Sequence, residues 1–193
     1  MAAKLVALLA PLLGSISAEA AGIRIKERVK YYTISGRSAP EFAKNMSRKG
    51  PYSFQHGRRA WATAAREMSY DINPRKRGKL CSLQGIGVQM TITYTMPKLR
   101  STRGVSAREA KNWQRMYALL NKHERVHGKY YRQLANRVYR KLKRMKPDRN
   151  CATLRRAAIA AVQKLAKEDT ARNARFDRTD RGNYRRMARI YSR

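Results

Sequence analysis

The spacing of the apolar residues changes at Pro97, and this change constrains the fold more than any other feature of the sequence. From Ile23 to Pro97, apolar and polar residues mostly alternate, which is typical of strands with one buried face. From Trp113 to Met145, apolar residues together with His127 recur every three, four or seven positions, which indicates an amphipathic helix. We therefore expect an α+β fold, with a small, mostly antiparallel sheet followed by two long helices packed against it.

Individual segments refine this prediction. The expected strands are Val29–Gly36, Arg59–Ile72 and Val88–Met96. The last of these is the candidate edge strand for aligning a peptide. The expected helices are a short one after Ser38 that stops at Gly50, a long one from Ser106 to Pro147, and a long one from Cys151 to Phe176. The basic stretch at 72–79 is expected to be a turn and loop, and the arginine-rich tail from Asp177 is expected to be irregular.

The N-terminus has the layout of a signal peptide. Lys4 precedes an apolar run from Leu5 to Ile16, and the small residues Ala18 and Ala20 then offer a cleavage site. The run is too short to span a bilayer comfortably, and a buried N-terminal helix is the alternative. We expect an exported, periplasmic protein, with a signal peptide at 1–20, one domain at 21–182 and a basic tail at 183–193.

Cys81 and Cys151 are the only two cysteines. An even count in an oxidising compartment favours a disulfide between them, whereas two buried thiols are the alternative. On the chain-entropy model, a bridge that closes the long loop between Cys81 and Cys151 stabilises the fold by about 4 kcal/mol.

The chain carries a formal charge of +33, from 45 Lys and Arg against 12 Asp and Glu. Such a surface attracts polyanions and anionic membrane surfaces without selectivity. The positive residues are spread along the whole chain rather than gathered in one motif, so we expect no specific nucleic-acid partner.

The stretch "HERVH" contains His123, Glu124 and His127. Histidines four positions apart project from one side of a helix, and here that side shares the apolar stripe. The pattern H-E-x-x-H is typical of a zinc site in which the glutamate is the general base rather than a ligand. The alternative is a pair of core histidines that bind no metal. The third histidine, His56, is expected to be exposed and unrelated.

The zinc-binding pattern is one of several short motifs that follow one another along the chain. They are "YYTISGRSA", "RRAWATAAREMSY", "MPKL", "HERVHG" and "FDRTDRG", with the two cysteines between them. In this order, from Val29 to Gly182, the chain resembles a bacterial family of unknown function described as predicted secreted zinc-dependent proteases. The resemblance implies a zincin-like domain in which the helix carries His123 and His127 as zinc ligands and Glu124 as the base.

The third zinc ligand is not settled by this resemblance. The family has a histidine before the glycine of its last motif, whereas here Arg181 precedes Gly182, and arginine cannot bind zinc. Asp180 is the favoured substitute because it adjoins that position, and Asp177 and Glu168 are the alternatives.

The sequence thus predicts a secreted zinc metallopeptidase that acts on peptides or proteins, with Glu124 activating water. Two other functions remain open. The first alternative is a catalytically impaired zincin-like protein, and the second is a basic protein that binds polyanions or the cell envelope.

Overall fold

The computed structural model describes residues 22–53 and 57–191. The predicted signal peptide, His56 and the last residues of the basic tail lie outside this range. The elements, in chain order, are β1 Gly22–Ile34, α1 Ala39–Lys49, β2 Tyr52–Ser53, β3 Arg58–Arg59, β4 Thr63–Arg77, β5 Leu80–Leu99, α2 Ala107–Lys143, α3 Cys151–Thr179 and α4 Arg181–Tyr191.

The main sheet has three strands in the order β1-β5-β4. Strands β4 and β5 are antiparallel, whereas β1 runs parallel to β5, with Val29 beside Tyr94. The predicted α+β class is confirmed, and the sheet is mixed. A parallel pair needs a crossover connection, and here the chain between β1 and β5 passes through α1, the small β2-β3 hairpin and β4.

Two predictions about the strands are wrong. The stretch at 72–79 is not a loop, because β4 continues to Arg77 and β5 begins at Leu80 after a tight turn at Gly78, whose φ is +59°. Strand β5 is not an edge strand, because it pairs along both of its sides.

The core lies between one face of the sheet and helix α2. Alternate residues of β5 are buried on this face: Val88, Met90, Ile92, Tyr94 and Met96. The buried apolar residues of α2 belong to the same cluster: Met116, Leu120, Leu134, Ala135, Val138 and Leu142. Burial of these two stripes fixes the rotation of α2 about its axis.

The start of α2 is capped as the sequence predicts. The Ser106 hydroxyl oxygen accepts a hydrogen bond from the Glu109 backbone N–H at 3.2 Å. The Glu109 carboxylate accepts one from the Ala39 N–H at 2.6 Å, which joins α1 to α2. At the start of α1, Ser38 occupies the N-cap position but its side chain makes no capping hydrogen bond.

The C-terminal segment is helical, so the prediction of an irregular tail from Asp177 is wrong. Helix α3 continues to Thr179, and α4 follows after Asp180 with Asn183 and Met187 buried. At the other end of α3, Cys151 forms a disulfide with Cys81 at the start of β5. This bridge fastens α3 to the sheet.

Among the described residues, no helix combines the length and the apolar character that crossing a bilayer requires.

Candidate metal centre

Helix α2 directs His123 and His127 towards α3. Both side chains are buried, with 8% and 7% of their surface exposed. Their Nε2 atoms lie 3.2 Å apart. Both histidines lie on the buried side of α2, and their rings meet side chains of α3.

Asp177 completes a group of three donor atoms. Its Oδ1 lies 3.2 Å from His123 Nε2 and 2.9 Å from His127 Nε2. Ligands at the usual Zn–N distance of about 2.05 Å stand about 3.3 Å apart in a tetrahedral site. The three donors therefore already have nearly the separations that a zinc ion requires.

The favoured third ligand, Asp180, occupies a different position. Its Oδ2 lies 2.8 Å from His123 Nδ1, the ring nitrogen that faces away from Asp177. Because α3 continues beyond Phe176, Asp177 lies on its last helical turn and Asp180 caps its end. Helical geometry thus separates two aspartates that an irregular tail would leave interchangeable.

Glu168, the other alternative, is remote from this cluster. Its carboxylate pairs with the guanidinium of Arg137, and its side chain is 43% exposed. It belongs to the solvent-facing side of α3.

His127 is held by a buried chain of polar contacts that the sequence analysis missed. Its Nδ1 lies 2.6 Å from Asn173 Oδ1. The Asn173 amide donates to the Asp169 carbonyl and carboxylate at 2.8 and 3.2 Å, and Asp169 pairs with Arg66 of β4 at 3.4 Å. Asp169, Asn173 and Asp177 recur every fourth residue on α3, so a search for polar helical stripes would have found them.

These contacts define the protonation of both rings. An Nδ1–H that donates to Asp180 or to Asn173 leaves Nε2 as the nitrogen with a free lone pair. Both Nε2 atoms point at the same place as Asp177 Oδ1.

The pKa values indicate a site that stabilises positive charge. Burial lowers the pKa of His123, but hydrogen bonds to Asp177 and Asp180 and the charge of Glu124 outweigh it and raise the pKa from 6.5 to about 9. The pKa of His127 is raised in the same way, with Asn173 in place of Asp180. Burial raises the pKa of Asp177, and its hydrogen bonds with the two histidines outweigh this and hold the pKa well below the usual range.

Glu124 lies beside the cluster and outside the group of three donors. It is 5% exposed, and its carboxylate accepts a hydrogen bond from the backbone N–H of Ala64 in β4. Burial raises its pKa, which the neighbouring histidines partly offset. A buried carboxylate with a raised pKa is a stronger base than one on the surface.

The cluster forms one wall of a cavity of about 590 Å³. Phe176 stacks on the His123 ring, with 4.8 Å between ring centres, and Tyr184 of α4 lies 5.7 Å from the same ring. The cavity also contains Trp61, Leu120 and other apolar residues. An extended substrate would therefore reach the buried donors from an open, partly aromatic cleft.

The comparison with family models identifies the family. The model of the family described as "Bacterial protein of unknown function (DUF922)" matches residues 29–183, and the chain belongs to this family. Searches of the curated proteins and of the solved structures found no significant match.

Proposed function

We propose that this protein is an exported zinc-dependent peptidase that hydrolyses peptide bonds. The observation that carries the proposal is the convergence of His123 Nε2, His127 Nε2 and Asp177 Oδ1 on one point in the wall of a cavity. Glu124 lies beside these atoms without joining them.

The donor set suits zinc. Two histidines and one carboxylate form a common ligand set of catalytic zinc sites, which leave a fourth position open. The carboxylate–histidine contact between Asp180 and His123 is the outer-sphere interaction that orients such a ligand and makes it more basic. We therefore assign the third ligand to Asp177 and the supporting role to Asp180.

The side chains divide the chemistry between them. Zinc bound to these ligands would polarise the scissile carbonyl and bring the pKa of a bound water towards about 7. Glu124 would take the proton of the attacking water and pass it to the leaving amine. Its contact with the Ala64 backbone N–H fixes the direction of its carboxylate.

Tyr184 is the best-placed candidate to stabilise the negative charge that develops on the carbonyl oxygen. It lines the cavity and is 45% exposed. Burial, followed by the charges of nearby carboxylates, raises its pKa to about 12, so its hydroxyl stays protonated and can donate at neutral pH.

The compartment is part of the same proposal. The disulfide between Cys81 and Cys151 suits an oxidising setting, as expected for a protein exported to the periplasm.

Metal analysis tests the site. Untagged protein, dialysed against zinc, should hold close to one ion per chain by mass spectrometry. Asp177→Asn, His123→Ala and His127→Ala should lose this ion, because two ligands hold zinc poorly. Asp180→Asn should still bind zinc, about 10- to 100-fold more weakly. Circular dichroism must show that each variant is folded.

Peptide hydrolysis tests the reaction. Zinc-loaded protein should cleave an unfolded, fluorophore-labelled protein substrate, and Glu124→Gln should retain zinc while losing this activity. If the wild-type chain binds no zinc, the proposed zinc-dependent function is wrong. If it binds zinc but cleaves nothing, the zinc has a non-catalytic role in a zincin-like envelope protein.

A further inference from the structure

The cavity has a charge distribution that the metal centre does not account for. Its carboxylates are Glu124 and Asp177, which both belong to the metal centre. Its cationic side chains are Arg58 and Arg59 of β3 and Arg178 of α3. Outside the metal centre, the described lining of the cavity is therefore positive, with guanidinium groups supplied by two different elements.

None of these three arginines has an ionic partner among the described residues, but Arg59 has a hydrogen bond to the backbone. Arg59 donates a hydrogen bond to the Gly50 carbonyl at 2.8 Å, which ties β3 to the end of α1. Among residues 22–53 and 57–191, neither Arg58 nor Arg178 forms a salt bridge, whereas arginines of β4 and α2 close to the site do. Both side chains are exposed.

We propose that the cavity selects peptides with an acidic side chain close to the scissile bond, and that Arg58 and Arg178 bind that carboxylate. The inference rests on the proposed peptidase function and names its substrate class. A guanidinium can hold a carboxylate through two parallel hydrogen bonds, which gives both affinity and orientation. A lysine-bearing peptide would instead place a positive charge beside two arginines with no acidic partner outside the metal centre.

The apolar lining adds a second element of recognition. Trp61, Leu120 and Met187 line the same cavity. A peptide that pairs an acidic residue with a neighbouring bulky apolar residue would satisfy both parts of this lining. The overall charge of +33 would also speed the approach of acidic chains.

Binding can be measured apart from catalysis. The probes are short labelled peptides that differ only in one central Glu, Gln or Lys, and the protein is the inactive Glu124→Gln variant, with and without zinc. By fluorescence anisotropy at about 0.15 M salt, the Glu peptide should bind about tenfold more tightly than the Gln peptide, as expected for charge-assisted hydrogen bonds. Arg58→Glu and Arg178→Glu should each reduce or reverse this preference.

Arg156→Glu is the matched control. It makes the same change in net charge on α3, near the opposite end of the helix from Arg178, and its described contact is with Thr153. This variant should keep the preference for the Glu peptide. If it loses the preference as fully as Arg58→Glu does, general attraction explains the effect and the inference is wrong.

Cleavage of a peptide library by the zinc-loaded wild type separates the two proposals. Cuts concentrated beside Asp and Glu support both. Cuts without acidic enrichment leave the peptidase function standing and overturn the inference. If no peptide is cleaved, the proposed peptidase function is wrong, and the proposed preference for acidic substrates is wrong as well.

Discussion

Gly128, which directly follows the second histidine, permits a close approach between α2 and the sheet. A Cβ atom at this position would lie 1.9 Å from the Tyr94 hydroxyl oxygen and 2.8 Å from its Cζ. Tyr94 is 1% exposed, and its hydroxyl lies 3.3 Å from Glu27 Oε2. Arg125 covers the ring at 4.2 Å. The tyrosine therefore has little room to move.

We predict that Gly128→Ala destabilises the protein although alanine is the better helix former. Helix propensity favours alanine by about 1 kcal/mol. Overpacking costs about 1–3 kcal/mol, and displacement of the buried hydroxyl from its hydrogen bond costs about 1 kcal/mol more. The free energy of unfolding should fall by about 1–3 kcal/mol. Adding Tyr94→Phe removes the closest contact and should recover part of the loss.

Gly182 is the matched control, because it also lies in a helix but a Cβ there would meet no atom within 4 Å. Urea unfolding of the zinc-free protein, followed by circular dichroism, measures all three variants. Gly182→Ala should be neutral or stabilising by up to about 1 kcal/mol. If Gly128→Ala is equally stabilising, α2 does not approach the sheet this closely and the description of the core is wrong.

Four further predictions concern the metal centre, the disulfide, the pH dependence of stability and the surface charge. Asn173→Leu removes the acceptor of the His127 Nδ1–H and should weaken zinc binding about 10- to 100-fold in competition with a chelator. Reduction of the Cys81–Cys151 bridge, which spans 70 residues, should lower the free energy of unfolding by about 4 kcal/mol in urea titrations. When a chelator keeps the protein free of metal, the raised pKa of His123 should stabilise the fold fully below pH 6.5, and this contribution should disappear as the pH rises through about 9. Thermal melts across this pH range measure it, and a melting temperature that does not change with pH would contradict the prediction. Retention on heparin should weaken steeply with salt, because the +33 charge binds polyanions by counterion release.

Apolar spacing predicted the long helix and the orientation of its histidines correctly. It missed the last turn of α3 beyond Phe176 and the whole of α4, and it did not identify the inward polar stripe of Asp169, Asn173 and Asp177. These residues face histidines instead of apolar side chains, so the buried face of the helix is polar. Its sequence therefore resembles that of an irregular polar segment. The rule that apolar periodicity marks a helix assumes an apolar neighbour.

The sheet shows a second limit of sequence patterns. Alternation predicted strands at β1, β4 and β5, since each turns one side towards the core. It contains no information on strand direction or order, so the central position of β5 and its parallel pairing with β1 could not be derived. The close approach of Gly128 to the sheet likewise cannot be predicted from the sequence, because it depends on a tyrosine that is distant along the chain.

The assignment of Asp177 as ligand and Asp180 as support follows from the way His127 is held. Asp177 contacts Nε2 of His123 and Asp180 contacts its Nδ1, so this ring alone does not tell a ligand from a supporting carboxylate. His127 makes the distinction, because Asn173 occupies its Nδ1 at 2.6 Å and its Nε2 lies 2.9 Å from Asp177 Oδ1. Among the described carboxylates, Asp177 alone combines with Nε2 of both histidines in a group of three possible donors. This geometry is the reason that we propose Asp177 as the third ligand and Asp180 as the supporting carboxylate.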